Sequence, residues 1–222
     1  MKRRIIVIDD FYKEPDAIRK LALNSSYLNS KSNDGYNGYK SIVSTKTKDS
    51  LMNKIAKVLG LGITYQVSRQ GDFKSLHQIQ FKNKTTFVHF DLCDWSGVLC
   101  LSDPKKIRGY TSFWRHNLLR VDGFDDINVV AKICAKKKCH VQDLFDLIDK
   151  DSAKMSRWTE LSRIHHVYNR LILFRGNMFH ASSEGFGNSL ENSKLTQTFF
   201  FNELTQSSQV NCEKGWKSIT LK

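Results

Sequence analysis

Proline is nearly missing from this chain, with two in 222 residues, and no low-complexity tract accompanies it. Together these absences argue against a disordered polypeptide. Long apolar runs are missing too. No stretch approaches 18 apolar residues, so no transmembrane helix is expected. The opening MKRRIIVIDDFYKEP is basic, but its apolar run is too short for a signal peptide, and the expectation is a cytoplasmic protein with no membrane role. A serine nucleophile elbow, a P-loop and a dinucleotide-binding glycine motif are all lacking. That removes the common hydrolase, NTPase and dehydrogenase classes.

Acidic residues are scarce relative to basic ones. Asp and Glu number 22 against 35 Lys and Arg, a net charge of +13. Such a balance favours an acidic ligand or a polyanionic partner, nucleic acid included. The basic residues are spread out, with AKKKCH (135–140) as the local cluster, and no nucleic-acid-binding signature goes with them. The five cysteines are odd in number and scattered, which reads as reduced thiols and not a disulfide framework. Cys134, Cys139 and His140 lack a second ligand pair at zinc-finger spacing, so structural zinc is not expected.

What is present fits one domain spanning 1–222. RIIVIDDFY reads as a strand. KEPDAIRKLALNS reads as a helix, with Pro15 near its start and Ile18, Leu21 and Ala22 on one face. Residues 29–41, rich in Asn, Ser and Gly, read as a loop. DSLMNKIAKVLGLG is a second helix, with Gly60 as its stop. From residue 63 the pattern changes to short β-branched and aromatic runs divided by polar turns, as in an antiparallel sandwich or barrel. Residues 125–165 are helical in pattern, and strand-like text returns at NRLILFRG, NMFHAS and LTQTFFFNEL. The expected class is therefore mainly β with α: a β core with N-terminal helices and a helical insertion at about 115–165.

In TTFVHFD, strand alternation places Phe87, His89 and Asp91 on one face. A second histidine in a comparable setting, His180, follows 91 residues later. Two imidazoles and one carboxylate can occupy one triangular face of an octahedral Fe(II), leaving three positions open. A sheet supplies such a face if it curls, as in a jelly roll. Farther on, Lys194, Thr196 and Thr198 share a strand face, and an ammonium with a hydroxyl two residues on can hold a carboxylate. Taken singly, His89 or His180 reads as a core histidine and Lys194 as a surface lysine. The ordered set argues otherwise.

His89-x-Asp91, His180 and Lys194-x-Thr196, in that order, resemble the iron(II)- and 2-oxoglutarate-dependent oxygenases of the prolyl-hydroxylase-like branch. Gly109, Thr111 and Phe113 in GVLCLSDPKKIRGYTSFWRH, and the run LILFRGNMFH, are similar to further segments of that group. IDDFYKEPDAIRKLAL looks like the start of its small bacterial and phage-type members. The resemblance covers 5–30 and 76–203, apart from 115–165.

It implies a double-stranded β-helix, or jelly roll, with the insertion near one mouth. It also implies a dioxygenase that uses Fe(II), 2-oxoglutarate and O2 to hydroxylate a C–H bond, releasing succinate and CO2. His89, Asp91 and His180 would bind iron. Lys194, where many members have Arg, would pair with the distal carboxylate of 2-oxoglutarate, with Thr196 assisting and Gln78, Gln80 and Tyr65 as further candidates. Trp95 and Arg175 are expected on the substrate side. Asp91 argues for hydroxylation, since halogenating relatives lack that carboxylate. A protein side chain, an amino acid or another small molecule would be the substrate. The alternative is a non-catalytic basic jelly-roll module that binds nucleic acid or protein.

Overall fold

The computed structural model describes residues 3–31, 37–41, 45–78, 87–124, 126–204 and 216–220. In chain order these form β1 (Ile5–Ile8), α1 (Pro15–Leu23), β2 (Tyr27–Lys31), β3 (Asn37–Ser41), α2 (Thr45–Leu59), β4 (Ile63–Gln66), β5 (Asp72–Leu76), β6 (Trp95–Cys100) and β7 (Tyr110–His116). Then follow α3 (Ile127–Lys137), α4 (Val141–Asp151), β8 (Trp158–His165), β9 (Leu171–Arg175), β10 (His180–Ser182), β11 (Lys194–Glu203) and β12 (Trp216–Ile219). None of the described helices is long and apolar enough to cross a membrane.

Pro15 opens α1, where a missing N–H costs nothing. Gly60 closes α2 at φ 67°, a left-handed conformation that favours glycine. The strands form two antiparallel sheets, as in a jelly roll. The major sheet runs β1-β9-β6-β11-β5-β3-β2, with β4 joining at the end of β11 and β12 beside β4. The minor sheet runs β10-β7-β8.

Alternation along β9 shows how the layers divide. Leu171 and Leu173 face the core built with Ala22 of α1 and Leu51, Met52, Ile55 and Ala56 of α2. Ile172 and Phe174 point the other way, to Phe113 of β7 and Met178, in the space between the sheets. In β11, Leu195, Phe199 and Phe201 join the helix-side core, which leaves Lys194, Thr196 and Thr198 on the face toward the minor sheet. Each fully buried Leu or Phe of this kind contributes about 1.5–3 kcal/mol.

The remaining helices back the minor sheet. Val130 of α3 and Leu144 and Ile148 of α4 pack with Val88, Trp158, Phe179 and Ala181. Val88 and Phe179 each precede a histidine of the expected metal set, so adjacent side chains point to opposite faces. The helical segment therefore packs on the outer face of the minor sheet.

Three local expectations are corrected. The loop expected at 29–41 contains a hairpin, β2 against β3. The helical pattern expected to 165 ends with α4, because Trp158–His165 is the edge strand β8 paired to β7. Phe87 to Asp91 is not a regular strand. His89 makes one isolated bridge to His180.

Candidate metal centre

That bridge brings the two histidines together. The His89 N–H donates to the His180 carbonyl at 3.0 Å, and the His180 N–H donates back to His89 at 2.8 Å. Residues paired this way send their side chains to the same face. The ring centroids lie 4.4 Å apart. Asp91 is held by its own N–H, which donates to the Gly176 carbonyl at 2.7 Å. A Cβ on Gly176 would stand 2.5 Å from the Cys93 carbonyl, so glycine is what lets the β9–β10 turn approach the 91–94 segment.

Each imidazole is oriented by a backbone carbonyl two residues earlier. His180 Nδ1 donates to Met178 O at 2.8 Å, and His89 Nδ1 donates to Phe87 O at 3.2 Å. A carbonyl only accepts, so Nδ1 carries the hydrogen in both rings and each Nε2 keeps a lone pair. His180 Nε2 lies 3.4 Å from Asp91 Oδ2. Two acceptors facing each other at that distance need a cation or a proton between them. Ser96 Oγ donates to the same Asp91 oxygen at 2.5 Å. Ligand atoms of His89, Asp91 and His180 all lie within 4.8 Å of one another. The donor set fits an octahedral ion held on one face.

The electrostatics agree with that fit. His89 opens to solvent on one side but is deep among protein atoms, and desolvation, reinforced by His180, pushes its pKa down to about 4. Desolvation works to raise the Asp91 carboxyl, yet the nearness of the His180 and His89 imidazoles and the Ser96 hydrogen bond outweigh it and hold the group well below the usual range. Near neutral pH these directions give a neutral His89 and an ionised Asp91, the forms that bind metal.

Ser182 lies two residues beyond His180 on β10, on the same face and about 6.6–6.8 Å along the strand. Lys194 reaches it. The ammonium donates to Ser182 Oγ at 2.6 Å, Ser183 O at 2.7 Å and Ser183 Oγ at 2.8 Å. The residue is 2% exposed and has no carboxylate partner among the described residues. Burial pushes its pKa down to about 7. Two buried polar atoms nearby lack a partner among the described residues: Thr198 Oγ1 and His166 Nδ1. The other His166 nitrogen meets Thr111 Oγ1 at 3.2 Å. A Cβ on Gly109 would sit 2.9 Å from His166 Nδ1 and 3.4 Å from Lys194 Cε, so bare glycine makes room there.

The other expected site residues lie elsewhere. Trp95 is 1% exposed and faces the helix-side core. Its indole N–H donates to Glu203 Oε1 at 3.0 Å, and the Arg175 guanidinium stacks 4.3 Å from its ring. Arg175 is also paired with Glu203 at 2.8 Å. This closed stack corrects the substrate-side expectation for both residues. Tyr65 is buried against α2 and donates to Asp49 at 2.9 Å, on the side of the sheet away from Lys194. Gln78 is exposed just past β5, where its N–H donates to Gly187 O. Gln80 lies outside the described residues. Thr196 is buried on the Lys194 face. Sequence reasoning missed Ser96, Ser182 and Ser183. The hydroxyl pair directly after His180-Ala181 was the one visible signal.

The two antiparallel sheets form a jelly roll, the fold of the solved structures that this chain is similar to. The non-haem alpha ketoglutarate dependent carbocyclase SnoK from nogalamycin biosynthesis is similar with a TM-score of 0.53 at 11% identity, over 98% of this chain and 92% of its own. The Fe(II)/alpha-ketoglutarate-dependent dioxygenase TqaL is similar at TM-score 0.48 and 10% identity, over 98% and 90%. HygX from Streptomyces hygroscopicus, solved with nickel and 2-oxoglutarate bound, is similar at 0.43 and 11%, over 89% and 82%. No curated protein matches the sequence. Residues 1–201 match the model of DUF6445, described as a family of unknown function, and the chain belongs to that family.

Proposed function

We propose that the protein is a single-domain Fe(II)- and 2-oxoglutarate-dependent oxygenase that hydroxylates a C–H bond. The observation that carries the reading is one shared inner face. On it, two imidazole lone pairs and a carboxylate converge one strand step from a buried ammonium with no carboxylate partner among the described residues. The likeness to SnoK supports the fold in which such a face is expected. The narrower resemblance to the prolyl-hydroxylase-like branch rests on the sequence motifs alone.

His89, Asp91 and His180 would hold the iron, with Met178 and Phe87 carbonyls fixing the ring tautomers and Ser96 orienting Asp91. Lys194 would take the distal carboxylate of 2-oxoglutarate, with Ser182, Ser183 and Thr196 beside it. Bound iron and 2-oxoglutarate supply the oxidising chemistry, in which O2 is consumed, succinate and CO2 are released and one oxygen atom goes to the substrate. Phe113, Ile172 and Phe174 form an apolar wall between the sheets that excludes water from this face. The substrate is a protein side chain, an amino acid or another small molecule, and the +13 charge makes an acidic partner, nucleic acid included, part of the same proposal.

The test is anaerobic titration with Fe(II) and then 2-oxoglutarate, followed by admission of O2 and assay of succinate. One equivalent of each ligand and succinate formation are expected. Failure to bind either ligand sinks the reading.

A further inference from the structure

At the end of α3 the backbone brings two cysteines together, away from the metal centre. Lys138 takes the left-handed conformation at φ 51° and reverses the chain. Its N–H donates to the Ala135 carbonyl at 3.4 Å, and the Cys139 N–H donates to the Cys134 carbonyl at 3.1 Å. This pair of nested bonds is the Schellman ending of a helix. It sets the side chains of the two residues joined by the longer-range bond against each other, and an apolar pair commonly fills those positions. Here both are cysteine.

Both are reduced and half-buried, on the rim of the cluster that α3 and α4 build behind the minor sheet. Burial, then the neighbouring Cys134 and Asp143 of α4, push the Cys139 thiol up, against Lys137. The pair therefore rests as two S–H groups. Among the described residues it forms no three-ligand metal group with His140. As packing alone, two thiols would serve as a small apolar contact. Redox chemistry is favoured by three features together: a juxtaposition fixed by the backbone, partial exposure, and the exposed Lys136, Lys137 and Lys138 between the two sulfurs.

We propose that Cys134 and Cys139 are a reversible dithiol–disulfide couple that closes a ring around Lys136, Lys137 and Lys138. The oxidant is a small-molecule disulfide. One cysteine, as thiolate, attacks a sulfur of that disulfide, whose S–S bond breaks as a mixed disulfide forms and one thiolate leaves. The second cysteine then attacks the first cysteine's sulfur and expels the other thiolate. The protein loses two electrons, and its two S–H protons end on the two released thiols. The ring ties the three lysines to the helix end, so the redox state sets how rigidly this basic cluster is presented.

The probe is glutathione. Full-length protein is equilibrated with a series of reduced-to-oxidised glutathione ratios, quenched with acid, alkylated and digested with trypsin, which cuts after the lysines between the two cysteines. In oxidised samples the Cys134 and Cys139 peptides should stay joined, and they should separate on reduction. The same series in concentrated urea is the reference, because two cysteines so near in sequence also meet in an unfolded chain. The folded protein should favour the disulfide over the unfolded chain by at least about tenfold, since the helix end holds the second thiol in place. Cys134→Ser and Cys139→Ser should each leave a glutathione adduct on the remaining cysteine, whereas Cys212→Ser should leave the linkage intact. Equal disulfide formation in folded and unfolded protein, pairing of either cysteine with Cys212, or no oxidation at any ratio would overturn the proposal.

Discussion

Among the described residues, two carboxylate–imidazole pairs of nearly equal length differ in their surroundings. Asp151 and His116 approach at 3.3 Å, and Asp91 and His180 at 3.4 Å. Around Asp151 the surroundings are closed. Lys154 lies 3.0 Å from one oxygen, Arg157 3.8 Å from the other, and His116 Nδ1 already accepts from the Leu119 N–H. His116 then donates through Nε2, and no lone pair remains for a ligand. Around Asp91 no lysine or arginine pairs among the described residues, and the backbone takes Nδ1 of both imidazoles. Separation alone does not tell a site from a strut. The second nitrogen of each ring and the missing cation do.

The sharpest break in that comparison is a pair of alanine variants. His180→Ala should lower Mn(II) affinity by more than about a hundredfold, since even an outer-shell partner costs roughly ten- to a hundredfold. His116→Ala should leave Mn(II) affinity unchanged. It should instead cost about 2 kcal/mol or more in urea unfolding, because it removes a buried hydrogen bond to Asp151 and leaves a cavity beside Trp158. Metal titration and urea denaturation of both proteins check the crossover. A His116 variant that loses metal would place that pair in the site.

Lys194 comes next in size. Lys194→Ala should weaken 2-oxoglutarate binding to the Mn(II) form by about ten- to a hundredfold while Mn(II) stays bound. The pH dependence has a definite sign. Burial depresses this pKa to about 7, so in the folded protein the ammonium is present below that value and is lost as pH rises through it. A bound carboxylate favours the charged form. Affinity should therefore fall as pH rises above about 7, with proton uptake on binding, and Lys194→Ala should flatten the profile. Calorimetry in buffers of different ionisation enthalpy reads the proton directly.

The candidate ligand set was legible in the sequence because its members are local or motif-bound. His89-x-Asp91 and the later His180 could be named, although the reason for their alignment was a single cross-strand bridge and not a strand over 85–91. Strands at or near a sheet edge were the failure. β8 reads WTELSRIH and β3 reads NGYKS, with little apolar alternation, because an edge or lightly covered strand needs no buried stripe. Trp95 and Arg175 were misplaced for a related reason. Their partner Glu203 is distant in sequence, and only the β6–β11 pairing brings it near. The surroundings of Lys194 were hidden likewise, since Ser182, Ser183 and the nearby Thr111–His166 pair come from several strands and the segment between β8 and β9.

The smallest expected effect concerns the basic end of α3. Lys136, Lys137 and Lys138 are exposed at its C-terminus, and α3 packs on the outer face of the minor sheet. Replacing all three, with Asn at 138 because that residue sits at φ 51°, should leave Mn(II) and 2-oxoglutarate affinities within about twofold. The loss of two cations from the last helical turn should cost about 1 kcal/mol or less. If nucleic acid is the partner of the +13 chain, its binding to wild type should fall steeply with salt as phosphate counterions are released, and the triple variant should bind weaker with a shallower slope. Fluorescence anisotropy of labelled single- and double-stranded DNA and RNA at two salt concentrations measures this. Absence of salt-sensitive binding in wild type would end the nucleic-acid reading. A large change in 2-oxoglutarate affinity in the variant would couple the outer face to the inner one, and the separation of the two Asp–His pairs would have to be redrawn.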